Sequence, residues 1–241
     1  MQNRPEVWNG VQVPYGATVE ELAHLVDGPI PARWAAFVAL AHTHGEPALA
    51  VLRASAESPD PHVRRIAVEA IGIHPEGNRL DAVLCRLLSD AHGTVVRSAC
   101  EAAAVKRVTA AHDSILRLID AGEESTRVVS LRALRTLWQE SDFDRVFRAF
   151  SSDGSTDVRK EAAWTLQSNA SPATWRRLFE VWRADSLPRH RGWACDLASA
   201  YGDSDVLADL RGLVNDIDGH VRERAAQAVR DLETRGVTEA P

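Results

Sequence analysis

Cysteine is scarce in this chain, with three residues in 241 and none in a Cys-x-x-Cys pair. That scarcity excludes a disulfide-stapled scaffold, and the spacing excludes the paired-thiol redox and zinc sites that depend on it. Cys85, Cys100 and Cys195 instead fall within predicted helices. No apolar run approaches the roughly 20 residues that cross a bilayer. The opening residues Met-Gln-Asn-Arg-Pro-Glu lack the apolar core of a signal peptide, so the expected location is cytoplasmic, with no membrane partner. Excess positive charge is also missing. The formal net charge of −6 disfavours nonspecific binding to phosphate backbones, although a local basic stripe is compatible with it. The chain has no Gly-rich phosphate loop, no Gly-x-Ser-x-Gly elbow and no recognised nucleophile pair. No catalytic residue and no cofactor is therefore assigned from motifs.

What the sequence has is a period. Arg33, Arg64, Arg97, Arg127, Arg159, Arg191 and Arg222 follow one another at spacings of 31, 33, 30, 32, 32 and 31 residues. Most sit in one phrase, an acidic loop residue, then Val-Arg, then a small residue three places on. Asp60-Pro-His-Val-Arg-Arg-Ile-Ala67 and Asp218-Gly-His-Val-Arg-Glu-Arg-Ala225 are examples. Self-similarity at about 30 residues is the mark of a helical repeat array, which buries its core between neighbouring repeats.

Each repeat divides into a first helix, a short turn and a second helix that carries the arginine. The first helices are predicted near 18–27, 46–57, 78–89, 109–120, 141–151, 172–184 and 204–215. The second are predicted near 31–43, 61–73, 94–107, 125–139, 156–169, 188–201 and 218–234. Thr18-Val-Glu-Glu21 reads as a capping box, Ser171-Pro172 as a helix start with proline at the first helical position, and Ser141 as the cap of the helix of Phe143. Three places after each arginine stand Ala36, Ala67, Cys100, Ser130, Ala162, Ala194 and Ala225, all small enough for close helix approach. The fold class is all-α, an α-α superhelix of about seven helix pairs over residues 18–235. Residues 1–17 form an N-terminal cap or arm, with Asn9-Gly10 as a tight-turn signal between apolar neighbours, and 236–241 form a flexible tail.

With its Asp-x-x-Val-Arg-x-x-Ala phrase, the chain resembles the HEAT-repeat superfamily, in particular the short-repeat branch also seen in phycobilin lyases. The resemblance covers about residues 18–235 and implies a scaffold that binds partners on a concave surface lined by second helices. A minority of relatives are enzymes. Deoxyhypusine hydroxylases hold two irons with His-Glu pairs, and no His-Glu dipeptide occurs here. Alkylpurine DNA glycosylases use tryptophans and an acid around an extruded nucleotide, for which Trp164, Trp193 and Asp196 are the nearest material. Phycobilin lyases share the repeat type, but no motif assigns chromophore handling to residues of this chain.

The arginines are read as a structural ladder, each pairing with a turn acid (Asp60, Asp90, Asp153, Asp185, Asp216) or with helix-end carbonyls. Arg176, Arg177, Arg183, Arg189 and Arg191 form a second basic cluster beside Trp175 and Trp182, whose seven-residue spacing is that of a buried stripe. His42, His44 and Glu46 gather three potential ligands in five residues without a fourth, so no metal site is assigned. The candidate partner-binding residues lie one, five and eight places after the ladder arginines: Arg65, Glu69, Arg132, Arg135, Lys160, Trp164, Gln167, Asp196 and Gln227, centred on 132–167. Tryptophan and arginine there suit a protein or peptide partner. The reading is a non-enzymatic scaffold or adaptor. Beside it stands a nucleic-acid-binding or base-processing protein using Trp164, Trp193 and Asp196.

Overall fold

A computed structural model describes residues 7–8, 11–12 and 16–236. Two short strands, β1 (Val7–Trp8) and β2 (Val11–Gln12), pair antiparallel with Val7 opposite Gln12 and Trp8 opposite Val11. The Asn9-Gly10 turn, Val13, Pro14 and residues 237–241 lie outside the described residues. Everything else that is regular is helical.

The chain divides into two compact units, Met1–Thr165 and Leu166–Pro241. In the first unit the helix pairs are α1 (Val19–Leu25) with α2 (Ile30–His42), α3 (Glu46–Ser55) with α4 (Pro61–Ile73), α5 (Asp81–Leu87) with α6 (Gly93–Lys106), and α7 (His112–Ala121) with α8 (Glu124–Leu137). They are followed by α9 (Phe143–Ser152) and by α10 (Thr156–Ser168), whose last residues belong to the second unit. The second unit holds α11 (Trp175–Trp182) with α12 (Pro188–Tyr201) and α13 (Leu207–Leu213) with α14 (Gly219–Thr234). Short 3-10 turns precede α5, α7, α9 and α13.

Local chemistry sets the starts. Thr18 and Glu21 form the expected capping box, each side chain bonding the other's backbone N–H. Asp60 and Asp218 cap α4 and α14 by accepting from the N–H groups of His62 and His220 at 2.9 Å. Two expected starts differ. The helix after Ser171 begins at Trp175, because the Ser171 N–H bonds the Thr174 hydroxyl at 3.0 Å and holds 171–174 as a turn. At α9 the capping box is formed by Gln139 and Asp142 around a 3-10 turn, and Ser141 is not the cap.

Second helices pack on second helices: α2 on α4, α4 on α6, α6 on α8, and α12 on α14. The residues three places after the ladder arginines make this close approach feasible, since all seven have no exposed surface. Cys100 Sγ lies 3.8 Å from Ser130 Oγ, one such position touching the next. Gly72 serves the same end, because a Cβ there would stand 3.2 Å from Ala102 Cβ. Around these contacts Leu40, Leu49, Ile71, Leu84, Ile115 and Leu131 fill the first unit, and Leu178, Phe179, Trp182 and Leu210 fill the second.

One second helix is offset. The ladder arginine is the fourth residue after the N-cap in α2, α4, α8, α12 and α14 but the fifth in α6, where it follows His92. This extra residue is the physical meaning of the 33-then-30 irregularity in the arginine spacing.

Candidate functional site

The arginine ladder occupies its own hydrogen-bonding capacity. Arg64 forks onto Asp90 with Nε at 2.8 Å and Nη2 at 2.9 Å, while its Nη1 bonds the Ser58 carbonyl at 2.8 Å. Arg127 does the same with Asp153 (2.9 and 2.8 Å) and the Gly122 carbonyl (3.0 Å). Arg191 forks onto Asp216 at 2.7 Å twice and reaches the Asp185 carbonyl at 2.9 Å. Arg33 meets Asp60 at 3.0 Å. Arg159 and Arg222 bond their own turn carbonyls, Asp153 O at 2.6 Å and Asp216 O at 2.8 Å. The Arg127 and Arg191 hydrogen bonds hold the Asp153 and Asp216 carboxyls below the usual range. At Asp90 burial is the largest influence and pushes the carboxyl up, but the Arg64 and His92 N–H bonds together outweigh it and hold it below the usual range. The Asp185 carboxylate takes His190 Nδ1 at 3.0 Å and the Leu187 N–H at 2.8 Å. Guanidiniums committed in this way position helices and are not offered to a ligand.

Arg97 is the exception. Six residues ahead of Arg159 and Arg222 stand Asp153 and Asp216, whereas six ahead of Arg127 stands Ala121. The turn that faces Arg97 therefore brings no aspartate, and among the described residues the guanidinium bonds only the Ser125 hydroxyl, at 3.0 Å. Beside this incomplete rung opens a groove of about 850 Å³ along α8 and α10, whose walls include Arg97, Glu124, Val128, Arg132, Lys160 and Trp164. Trp164 keeps 41% of its surface exposed. Glu161 braces the groove: its carboxylate lies 2.8 Å from Arg135 and 3.6 Å from Arg132. Lys160 is tied to Asp157 at 3.2 Å, and the Thr165 hydroxyl donates to the Leu131 carbonyl at 3.0 Å, joining α10 to α8. The wall thus combines charged side chains, of which Arg132, Lys160, Asp157 and Glu161 are held in ion pairs, with the half-exposed Trp164.

The structure thus brings Arg132, Lys160 and Trp164 into one groove, with Arg135 attached to it through Glu161. Arg65 and Glu69 lie elsewhere. They pair at 2.6 Å, Arg65 sits over the Trp34 ring at 5.8 Å, and Glu69 also accepts from Ser98 Oγ. Glu69 lines a separate apolar groove of about 340 Å³ between α2 and α4, with Trp34, Phe37 and Ile73. Gln167, Asp196 and Gln227 belong to the second unit. Asp196 is paired with Arg224, and burial pushes its carboxyl up against the pull of that arginine. Gln227 bonds Asp231 at 2.7 Å and accepts from Arg230.

The materials of the alternative readings are also placed. Trp193 is buried against His190 and Trp182, with ring centroids 5.2 and 5.5 Å away, and the Arg189 guanidinium covers it at 5.1 Å. Trp175 and Trp182 are buried, in keeping with their seven-residue spacing. In the basic cluster Arg176 faces Asp203 and Asp205, Arg183 faces Glu180 and Asp209, and Arg191 is held by Asp216. Glu46 is taken by Arg53 and Arg79, and His44 faces Glu76 at 3.6 Å. No group of three or more metal-ligating side chains occurs among the described residues. Burial pushes the Cys100 and Cys195 thiols up to about 11 and about 12, so neither is a thiolate nucleophile at neutral pH.

Sequence reasoning missed the contribution of Arg97, Glu123, Glu124, Ser125, Asp157 and Glu161 to the groove. Two signals pointed to it: the uneven spacing on either side of Arg97, and Ala121 in a position where other repeats carry aspartate.

Comparison with known proteins places the fold. A family model described as HEAT repeats matches residues 19–104 and 143–230. No curated protein matches the sequence. Among solved structures, a chain from the complex of CpcE and CpcF of phycocyanin lyase from Nostoc sp. PCC7120 is 17% identical, with 96% of this chain and 99% of that one covered and a TM-score of 0.57. An engineered protein is likewise 17% identical over 89% of this chain and 68% of its own, with a TM-score of 0.58. At such identity the likeness is one of fold, the α-α solenoid of stacked helix pairs.

Proposed function

The chain belongs to the HEAT-repeat family, and from that premise we propose that it is a non-enzymatic scaffold or adaptor that binds a protein or peptide partner in the groove along α8 and α10. The observation that carries this reading is Trp164, a large aromatic side chain 41% exposed on a wall where Arg132 and Lys160 are held by ion pairs to Glu161 and Asp157. A partner side chain laid on that ring buries apolar area, and the wall loses little freedom in the process. The phycocyanin lyase chain shares the fold and, at 17% identity, lends no activity to this chain.

The nucleic-acid reading has less support. Arg176, Arg183 and Arg191 each face carboxylates, which cancels the field that a phosphate backbone requires. Trp193 is packed away from a base, and Asp196 is engaged by Arg224.

In this proposal residues 18–235 are the repeat array, 236–241 are a tail, and 1–17 cap the first repeat, for which the packing of β2 against α2 is the support. A cytoplasmic location is part of the same reading. No helix among the described residues is long and apolar enough to cross a membrane.

The test is affinity capture from the native cell with the wild type and the Arg132→Glu, Trp164→Ala variant in parallel. The expected result is a protein partner that is lost in the variant while helicity and melting are preserved. A partner retained by the variant rejects the groove, and recovery of nucleic acid alone moves the other reading ahead.

A further inference from the structure

We infer that this chain associates head to tail with a second copy of itself, Arg222 of one copy forking onto the Asp27 carboxylate of the next. The inference concerns other residues than those of the α8–α10 groove and goes beyond the function proposed for it.

Arg222 is half of a rung. Asp60-Pro-His-Val-Arg64 and Asp218-Gly-His-Val-Arg222 are the same phrase, and the two arginines are anchored alike. Nη1 of Arg64 bonds the Ser58 and Pro59 carbonyls at 2.8 and 3.2 Å, and Nη1 of Arg222 bonds the Asp216 and Ile217 carbonyls at 2.8 and 3.0 Å. So held, Arg64 turns Nε and Nη2 onto Asp90. The same two donors of Arg222 meet no acceptor among the described residues. Every other ladder arginine holds a side chain, whether Asp60, Asp90, Ser125, Asp153, Thr156 or Asp216. The acids nearest Arg222 in sequence are already engaged, Asp216 by Arg191 and Asp218 in capping α14.

Asp27 is the other half. It stands six residues ahead of Arg33, as Asp153 and Asp216 stand ahead of Arg159 and Arg222. Asp153 and Asp216 each accept an arginine fork and the N–H two residues on. Asp27 has neither. No ladder arginine precedes it, the residue two on is Pro29, which lacks an N–H, and Arg33 is taken by Asp60 at 3.0 Å. Its carboxylate makes no hydrogen bond or ion pair among the described residues. A planar fork fixed by its own turn and a bare carboxylate at the ladder position are complementary in charge and in shape.

Apolar surface adjoins both halves. Ile217, whose carbonyl Arg222 holds, is 92% exposed, and Ile30, three residues after Asp27, is 68% exposed. One exposed isoleucine is ordinary on a surface, but here one stands beside each half of the rung. The packing of β2 on α2 leaves Asp27 and Ile30 uncovered. On α14, Ala226 and Val229 follow Arg222 by four and seven places and are half-buried. Leu131, Leu134, Cys195 and Ala198, at the same places after Arg127 and Arg191, have no exposed surface. This face of α14 thus keeps apolar residues of the kind that other repeats bury against a neighbour. Because the two surfaces differ, the contact is heterologous, and each copy both gives and receives it.

The experiment measures mass against concentration by sedimentation equilibrium. The samples are the wild type, Arg222→Asp, Asp27→Arg, the double variant, and an equimolar mixture of the two single variants. Thermal melts verify folding. Asp27→Arg removes no bond within the chain and tests the contact even where Arg222→Asp melts early. For a contact this small, the wild-type mass should rise from that of one chain, 26.4 kDa, between about 10 μM and about 1 mM. Each single reversal sets like charges face to face and should weaken association about tenfold or more. The mixture and the double variant restore opposite charges and should recover it, which a purely structural role for either residue would not produce. A wild type that keeps one chain's mass up to about 1 mM overturns the inference. Association that both reversals leave unchanged, or that the mixture fails to recover, overturns it equally.

Discussion

Arg64 and Asp90 lie 26 residues apart in sequence and are joined by two hydrogen bonds of 2.8 and 2.9 Å, a fork closing on a carboxylate that the fold has almost removed from water. The same pairing recurs between Arg127 and Asp153 and between Arg191 and Asp216. A guanidinium suits this task because its planar donors address the next turn with one edge and its own turn with the other, fixing the spacing of successive repeats. At Arg97 no such fork forms, and the guanidinium bonds the Ser125 hydroxyl instead.

Removing a rung should therefore cost stability locally. Asp90→Ala leaves the Arg64 fork without its acceptor, and unfolding by urea should show a loss of about 2–4 kcal/mol, at or just below the scale of breaking a buried pair. An unchanged denaturation midpoint would mean that the pair merely breaks even with solvation.

Supplying the missing acid should act in the other direction. In Ala121→Asp a carboxylate stands where Asp153 and Asp216 stand in other repeats, and Arg97 gains an acceptor in place of the Ser125 hydroxyl. The melting temperature is expected to rise by a few degrees. The same variant should weaken partner capture, since a fully paired Arg97 closes one side of the groove.

His112 predicts a pH dependence. Its Nε2 lies 2.9 and 3.0 Å from the two Asp142 oxygens and its Nδ1 lies 3.0 Å from Asp113, an arrangement that favours the imidazolium, in which both ring nitrogens donate. Burial opposes that charge, but the bonds to Asp142 and Asp113 prevail and raise the pKa above the ordinary 6.5. Between the ordinary and the raised value the folded state holds more protons than the unfolded state. The contribution is thus complete below about 6.5 and is lost as pH rises through the folded pKa. The stability difference between wild type and His112→Gln should shrink over that interval. A difference that stays flat from pH 6 to 9 refutes the assignment.

Acid should undo the ladder. The Asp153 and Asp216 carboxyls are held low by Arg127 and Arg191, so their contribution is present above the ordinary value of 3.8 and is lost as pH falls through the lower folded values. In Asp216→Asn, acid unfolding is expected to begin at a higher pH than in the wild type. Circular dichroism across an acid titration measures this directly.

The thiols should be silent in the native state. Cys100 and Cys195 are fully buried, with pKa values pushed up to about 11 and about 12, and burial raises the half-buried Cys85 as well. A thiol reagent at pH 8 should label Cys85 slowly and the other two only after unfolding. Rapid labelling of Cys100 would mean that α6 and α8 separate readily.

By itself the sequence determined the repeat, the order of helix pairs, and the face on which Ala36, Ala67, Cys100, Ser130, Ala162, Ala194 and Ala225 let neighbours approach. Such features are local and periodic, and the 3.6-residue turn of a helix carries them into space without help from distant residues. The turn acids Asp60, Asp90, Asp153 and Asp216 were legible for the same reason, whereas Asp185, expected beside them, gives its carboxylate to His190. Tertiary structure alone decided what each polar or aromatic side chain meets on arrival. Trp164 stays exposed while Trp193 is buried against Trp182 and His190, and Arg132 shares Glu161 with Arg135. His112 finds Asp142 thirty residues on. Those outcomes depend on which side chains from adjacent helices compete for the same few ångströms. A spacing rule fixes the backbone that presents them, while burial and ion pairing are settled only when the neighbouring surfaces close together.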